Sequence, residues 1–281
     1  MIKKSTSLLL LIGLLLGCSL KDSKNKKAIR LHIKGSDTVY PLTKLLSTSF
    51  QQQNPIYSFV VEGGGSTAGI ADLLAGKVDV AAASRALKPA EKAKVDSLKL
   101  ELHTYTIAFD GLAVIVNAQN NLDKITKEQL QAIYQGKITN WKELGGSKEK
   151  ISVYALDKNN SNDEFFKDKI MGEENYASTI NRFSKPSEML RKVASNKNAI
   201  GYYNNLQLTS KVKYLSVSYD SSKSFIAPNA FNFQNGTYPI SRAMYYYTTP
   251  AKEAEMKLFI DFTHSLLGKR NIVETGFIPV Q

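Results

Sequence analysis

Residues 29–34 alternate apolar and polar side chains, which predicts a strand because successive strand residues face opposite sides. A helix from about 39 to 52 follows, with leucines and a phenylalanine at the spacing of one helix face. A second strand at 57–61 precedes a glycine loop and a helix to about 75, and a third strand occupies 78–83. Repeated strand-to-helix units predict a mostly parallel α/β sheet.

The rest of the chain continues this alternation. The further predicted strands are 102–109, 112–116, 151–156, 199–203, 215–219 and 244–248, and the further helices are 125–134, 163–171, 187–195 and about 250–267. An apolar pair of strands near 105–116 separates two groups of strand-and-helix units, and further strands follow late in the chain. This order predicts two lobes joined by crossover strands.

The first residues have the pattern of an export signal. Lys3 and Lys4 precede an apolar run over 8–16, which is too short to span a bilayer. The sequence at 15–18, Leu-Leu-Gly-Cys, resembles the bacterial lipobox. That resemblance implies a lipid on Cys18 and an extracytoplasmic protein anchored to a bacterial membrane. The alternative is an ordinary secretory signal with an incidental cysteine.

These patterns divide the chain into five segments. Residues 1–17 are the predicted lipoprotein signal peptide, and the lysine-rich residues 18–28 are a predicted disordered tether. Residues 29–107 and 238–281 are expected to form the first lobe, and 108–237 the second.

Charge and composition narrow the class of function. Lys and Arg number 37 against 25 Asp and Glu, a formal charge of +12, which falls to +10 without Lys3 and Lys4. The lysines are scattered without interleaved aromatic residues, so we expect a solvated basic surface and no nucleic acid partner. The three histidines lack metal-ligand spacing and Cys18 is a single cysteine. We expect a monomer with no metal, no cofactor and no enzymatic activity.

The run Glu-Gly-Gly-Gly-Ser-Thr at 62–67 is the clearest candidate for binding chemistry. Glycine lets the backbone approach a ligand closely, and the following helix offers free N–H groups and a positive dipole end to an anion. The run does not fit a nucleophile elbow, because Ala68 stands where glycine is required. Ser36, Ser66 and Ser84 each follow a predicted strand. Since ligands of α/β sheets bind outside the carboxyl ends of strands, these serines are expected to converge.

Several segments resemble the phosphate-binding lipoproteins, the PstS-like solute receptors of ABC importers. The matching segments are 35–41, 63–69, 80–85, 110–117, 135–141, 199–202, 238–242 and 274–279. The resemblance implies a two-lobed periplasmic-binding-protein fold of type II. Each lobe would be a mixed, mostly parallel sheet flanked by helices. It also implies capture of inorganic phosphate between the lobes for delivery to an ABC permease.

The resemblance also implies ligand contacts in three loops of the first lobe. They are Ser36 and Thr38 with the Val39 amide, Ser66 with the neighbouring Gly65 and Thr67, and Ser84 with Arg85. Ser36 and Thr38 are also candidates for helix capping. Arg85 is a bidentate ligand of a tetrahedral oxyanion or a packing residue. Asp37 accepts a phosphate proton or caps the first helix.

The second lobe departs from the family pattern. Leu156 stands where relatives carry an arginine, and Asn160, Ser161 and Asn162 replace a Ser-Gly-Thr segment of the ligand site. Asp157, Asp163 and Glu164 lie close by in sequence, and a carboxylate about 4 Å from an anion repels it by roughly 4 kcal/mol at an effective dielectric near 20. Lys158 is a candidate to replace the missing charge. The alternative function is the same fold with another oxyanion or solute, or a sensory or surface-complex lipoprotein with weakened phosphate binding.

Overall fold

The computed structural model describes residues 28–204, 209–219 and 224–281. The predicted signal peptide and all but the last residue of the predicted tether lie outside this part, as does Cys18. None of the helices within it has both the length and the apolar character needed to cross a membrane.

The chain alternates strands and helices throughout the described part. The strands are β1 (Ile29–Gly35), β2 (Tyr57–Glu62), β3 (Val80–Ala83), β4 (His103–Gly111), β5 (Ala113–Asn117), β6 (Lys124–Thr126), β7 (Ser152–Leu156), β8 (Asn181–Phe183), β9 (Ala199–Tyr203), β10 (Val212–Tyr214), β11 (Ser216–Ser218), β12 (Ser241–Thr248) and β13 (Ile278–Pro279). The α-helices are α1 (Tyr40–Gln53), α2 (Ser66–Leu74), α3 (Pro89–Ser97), α4 (Lys127–Tyr134), α5 (Ser161–Phe166), α6 (Pro186–Ser195), α7 (Ala230–Gln234), α8 (Glu253–His264) and α9 (Leu266–Glu274). A π-helical turn, Lys167–Met171, extends α5.

Two mixed sheets organise the fold, with the strand orders β13-β4-β12-β3-β1-β2 and β10-β5-β9-β7-β8. The predicted two-lobed α/β class is confirmed. Parallel pairs join β1 to β2 and β3, and β7 to β8 and β9. Antiparallel pairs join β12 to β3 and β4, and β5 to β9 and β10. The sheets are therefore less parallel than expected, because β12 runs opposite to both neighbours in the first sheet and β5 does so in the second.

The chain passes between the sheets twice, and the two passages lie side by side. The first joins β4 to β5 at Leu112, and the second enters β12 after Tyr238. The Leu112 amide donates to the carbonyl of Ile240 at 2.9 Å, and the Val114 amide donates to the Tyr238 hydroxyl at 3.3 Å. One main-chain hydrogen bond and one bond to a side chain thus couple the two connections.

Each sheet carries its own hydrophobic core. Leu31, Leu46 and Phe259 are fully buried around the first sheet, and Trp141 and Tyr202 around the second. Burial of such side chains is the main source of folding free energy. The two cores allow each lobe to keep its shape independently of the other.

Two predicted elements have different bounds in the structure. The long last helix is two helices, because Ser265 adopts an extended conformation and its hydroxyl caps α9 by accepting from the Gly268 amide at 3.1 Å. The predicted strand at 215–219 is the shorter β11, which pairs with β6, and the preceding strand β10, which pairs with β5, was not predicted. Helix α3 carries no buried residue, and it has no apolar stripe to indicate it in the sequence.

Helix α2 lies unusually close to β1. It begins after Gly65, whose φ of 90° favours glycine. A Cβ on Gly69 would collide with the carbonyl oxygen of Lys34 and approach the Gly35 Cα to 2.6 Å. The missing side chain at Gly69 therefore allows the start of α2 to lie beside the end of β1.

We expect Gly69→Ala to lower the free energy of unfolding by about 1–3 kcal/mol, because the added methyl group must displace backbone. Gly201→Ala is the control, since its Cβ would meet Met189 and Val193 side chains at 3.4 Å. Urea unfolding of both variants measures the difference. Equal losses in the two variants would contradict this explanation of the close packing.

Candidate functional site

A cavity of about 530 Å³ lies between the two lobes. The first lobe contributes the turns after β1 and β3 and the start of α2. The second lobe contributes α5 and the π-helical turn, and β12 contributes its first residues. Because β1, β2 and β3 are parallel neighbours, their carboxyl ends meet at one edge of the sheet. The predicted convergence of Ser36, Ser66 and Ser84 on one cavity is found.

Main-chain hydrogen bonds hold the three turns together. The Gly65 amide donates to the Gly35 carbonyl at 2.9 Å, and the Ser36 amide donates to the Ala82 carbonyl at 2.8 Å. The Asp37 carboxylate accepts from the Gly64 amide at 2.9 Å. Asp37 therefore joins the first turn to the glycine loop, and it does not cap α1, which has no side-chain cap.

Serine side chains join the second and third turns. The Ser66 hydroxyl accepts from the Ser84 amide at 3.2 Å and lies 3.5 Å from the Ser84 hydroxyl. Ser36 is 4% exposed and lines the cavity. Its hydroxyl makes no hydrogen bond with any residue of the described part. The Ser36 hydroxyl is therefore free to donate to a ligand in the cavity.

Arg85 lines the cavity, but its guanidinium is already engaged. Its two terminal nitrogens donate to Glu91 at 2.7 and 2.8 Å, and one also donates to the Thr67 hydroxyl at 2.9 Å. These hydrogen bonds hold the pKa of Glu91 below its ordinary value and raise the pKa of Arg85. Arg85 thus connects the second and third turns, and most of its charge is offset by Glu91.

The other predicted site residues fall into two groups. Thr38, Gly65, Thr67 and Ser161 line the cavity. Val39, Asn160 and Asn162 do not, for local structural reasons. The Val39 amide donates to the Ser36 carbonyl at 3.1 Å, and the Asn160 side chain caps α5 by accepting from the Asn162 amide at 3.0 Å.

A different arginine occupies the neighbourhood of Leu156. Arg182 on β8 donates to the Leu156 carbonyl and to the Asp163 carboxylate. Asp163 also accepts from the Tyr202 hydroxyl at 2.6 Å and the Tyr176 hydroxyl at 3.2 Å. Burial, the first cause, and the nearby Asp163 raise the pKa of both tyrosines. This buried network fixes α5, and neither Asp163 nor Arg182 lines the cavity between the lobes.

Lys158, the candidate replacement for the missing cation, also lies away from that cavity. It lines a separate cavity of about 720 Å³ on the second lobe, together with Lys167 and Arg182. Lys158 is therefore close to Leu156 in the sequence, but it does not line the cavity between the lobes.

Sequence reasoning missed Arg242 and its partner. Arg242 donates to the buried Asp110 carboxylate at 2.8 and 3.2 Å and lies over the Phe165 ring at 4.1 Å. It lines the cavity with little exposure. Both charges occur in segments that resemble the family, at 110–117 and 238–242. Their opposite signs were the signal in the sequence that could have indicated this ion pair.

Two carboxylates complete the cavity wall. Glu164 on α5 and Asp168 on the π-helical turn are exposed and line the cavity, and they form no salt bridge within residues 28–204, 209–219 and 224–281. In the same ranges, no group of three or more His, Cys, Asp or Glu side chains is arranged to hold a metal ion.

Two lobes, a double connection and a polar cavity between them define the class of substrate-binding proteins. The family model of the PBP superfamily domain matches residues 22–265. The phosphate-binding protein PstS of Staphylococcus saprophyticus is 31% identical over 255 residues, covering 88% of this chain and 79% of its own. The chain belongs to this family of PstS-type binding proteins within the PBP superfamily.

Solved structures agree with this assignment. The ABC-type phosphate transport receptor from Vibrio cholerae has a TM-score of 0.76 and 32% identity, covering 89% of this chain and all of its own. PstS from Borrelia burgdorferi, at 24% identity, supports the fold with a TM-score of 0.76, covering 90% and 99% of the two chains.

We expect Glu91→Gln to lower the free energy of unfolding by about 1–3 kcal/mol at pH 7, because it removes a two-pronged charged interaction. The pKa of Glu91 is lower in the folded than in the unfolded state. The stabilisation is therefore full above the unfolded value of about 4.3 and disappears as the pH falls through the lower folded value.

Urea unfolding of wild type and Glu91→Gln between pH 7 and 3 measures whether their free energies of unfolding converge as the pH falls. Glu128→Gln on α4, where the carboxylate is exposed, controls for the loss of one negative charge. A difference between wild type and Glu91→Gln that stays constant down to pH 3 would contradict the role of the ion pair.

Proposed function

We propose that this chain is an extracytoplasmic receptor that binds inorganic phosphate between its lobes and delivers it to the permease of an ABC importer. The observation that carries the proposal is the convergence of hydroxyls from three interlinked turns on one cavity, with the Ser36 hydroxyl left without a protein partner. The names of the PstS relatives and of the Vibrio cholerae receptor support phosphate as the ligand.

The ligand contacts in this proposal are made by neutral donors. Ser36, Thr38, Ser66 and Ser84 donate to phosphate oxygens, with the backbone amides of Ser66 and Thr67 at the start of α2. Hydrogen bonds to a charged acceptor are roughly twice as strong as neutral ones. Several such bonds therefore bind a phosphate without a matching cation, which suits a cavity whose two arginines are paired with carboxylates.

The proposal includes the organisation of the whole chain. Residues 1–17 direct export, Cys18 carries the lipid anchor, and 18–28 form the tether. Residues 29–107 and 238–281 form the first lobe, and 108–237 the second. A single chain supplies all the cavity residues, so a monomer suffices for binding. The named relatives are binding proteins of transporters, and the proposal includes no catalytic role.

We expect Ser36→Ala to weaken phosphate binding by about tenfold or more, because one charge-assisted hydrogen bond contributes about 1.5–3 kcal/mol. The stability of the ligand-free protein should change little, since the hydroxyl has no partner in the protein. Isothermal titration calorimetry with phosphate and thermal unfolding without it measure the two effects.

Ser147→Ala on an exposed turn of the second lobe is the matched control, and its phosphate affinity should equal that of wild type. Absence of heat and of any thermal shift for wild type with millimolar phosphate would overturn the proposal. Tighter binding of sulfate than of phosphate would identify another oxyanion as the ligand.

We expect Cys18→Ser to release the protein from the membrane, because no thiol remains to carry the lipid. Expression in a bacterial host followed by membrane fractionation and labelling with a radioactive fatty acid measures the effect. Wild type should be labelled and sediment with membranes, whereas the variant should be unlabelled. An unlabelled wild-type protein would favour the ordinary secretory signal.

A further inference from the structure

Arg242 lies at the edge of the first sheet where the three turns converge. In the antiparallel pairing of β12 with β3, Tyr245 is opposite Ala83, the last residue of β3. The residues of β12 before Tyr245 therefore extend beyond the carboxyl end of β3, where Ser84 also lies. Arg242 and Ser84 line the same cavity. The sheet thus brings an arginine from the second interlobe connection to the cavity that the serine hydroxyls line.

The guanidinium of Arg242 is held from two sides. Asp110 is the residue directly opposite on β4, and its Oδ2 atom accepts from Nε at 3.2 Å and from Nη2 at 2.8 Å. The centre of the Phe165 ring, in the second lobe, lies 4.1 Å from the guanidinium carbon. The arginine side chain is only 10% exposed. Because these contacts restrain it, the guanidinium loses little conformational entropy when a ligand binds.

The same contacts leave one donor group of Arg242 unused. A guanidinium has five N–H groups, and the bonds to Asp110 involve only Nε and Nη2. Nη1, with its two N–H groups, makes no hydrogen bond within residues 28–204, 209–219 and 224–281, and it is not fully buried. Since Arg242 lines the cavity, Nη1 is available to a ligand there.

The other arginine of the lining has no free terminal N–H group. Nη1 of Arg85 donates to the Ala86 carbonyl at 3.0 Å and to Glu91 at 2.7 Å. Its Nη2 donates to Glu91 at 2.8 Å and to the Thr67 hydroxyl at 2.9 Å. All four terminal N–H groups of Arg85 are therefore used within the protein, so of the two arginines Arg242 is the one suited to contact a ligand.

We propose that Arg242 is a ligand-binding residue whose Nη1 group donates to an oxygen of the bound oxyanion. The inference rests on the proposed function and adds one donor to the hydroxyls and amides of the first lobe. Because Asp110 offsets the charge of the guanidinium, Arg242 contributes chiefly a directed hydrogen bond. Removal of the Asp110 charge should consequently strengthen the attraction for an anion.

Two variants separate a ligand contact from a purely structural role of this ion pair. Asp110→Asn keeps an oxygen that accepts from Arg242 but removes the offsetting negative charge. The double variant Arg242→Gln/Asp110→Asn replaces the ion pair by two neutral amides and leaves no buried charge unpaired. Glu128→Gln is the control, because it raises the net charge as much as Asp110→Asn does, at an exposed position of α4 outside the cavity.

Isothermal titration calorimetry with inorganic phosphate measures the affinities, and thermal unfolding without ligand establishes that each variant is folded. We expect the double variant to bind phosphate about tenfold or more weakly than wild type, because it loses one hydrogen bond between charged groups. Asp110→Asn should bind about threefold or more tightly than wild type, because a carboxylate near the anion is removed. Glu128→Gln should bind like wild type. If Asp110→Asn does not fold, the double variant decides by itself.

The outcomes distinguish this inference from the proposed function. Equal phosphate affinity of wild type and the double variant would overturn the role of Arg242 and leave the phosphate receptor in place. Weaker binding by Asp110→Asn than by wild type would also overturn it, because disruption of the ion pair would then explain the loss in the double variant. If wild type binds sulfate but no phosphate, the phosphate proposal alone fails, and the same comparison with sulfate decides the role of Arg242. If wild type binds neither anion, both proposals fail.

Discussion

The candidate site depends on one set of interactions, the hydrogen bonds between the turns that follow three parallel strands. The Gly65 amide bonds to the Gly35 carbonyl, and the Ser66 hydroxyl accepts from the Ser84 amide. These bonds fix the turns at the carboxyl edge of the sheet, where donors from distant parts of the sequence converge. Because the bonds form between the turns themselves, the arrangement exists before a ligand arrives, and less conformational entropy is lost on binding.

Two ion pairs determine the charge of the site, each between an arginine that lines the cavity and a carboxylate that lies outside the lining. Glu91 holds Arg85, and Asp110 holds Arg242, so both guanidinium groups reach the cavity already paired. Each pair fixes the position of its arginine. The pair attracts an anionic ligand only weakly, since the carboxylate offsets the charge of the guanidinium. Arg242 additionally contacts Phe165 of the second lobe. This contact links β12 to α5, so the same arginine that faces the cavity also connects its two walls.

Much of the fold was predictable from local patterns, but the second half of the site was not. Strand periodicity and the glycine loop placed Ser36, Ser66 and Ser84 correctly, because neighbouring parallel strands end at one edge. The position of Arg182 depends instead on the pairing of β8 with β7, which brings it to the Leu156 carbonyl across 26 positions of the sequence. No periodicity encodes this contact. The break at Ser265 was missed because apolar residues continue on both sides of it.

The Arg182 network explains why the second wall has its particular chemistry. Asp163 is buried and is satisfied by Tyr176, Tyr202 and Arg182, so its charge is directed into the lobe. Glu164, the next residue on α5, consequently faces the cavity. A short helix held by a buried carboxylate thus presents the following carboxylate to the ligand space.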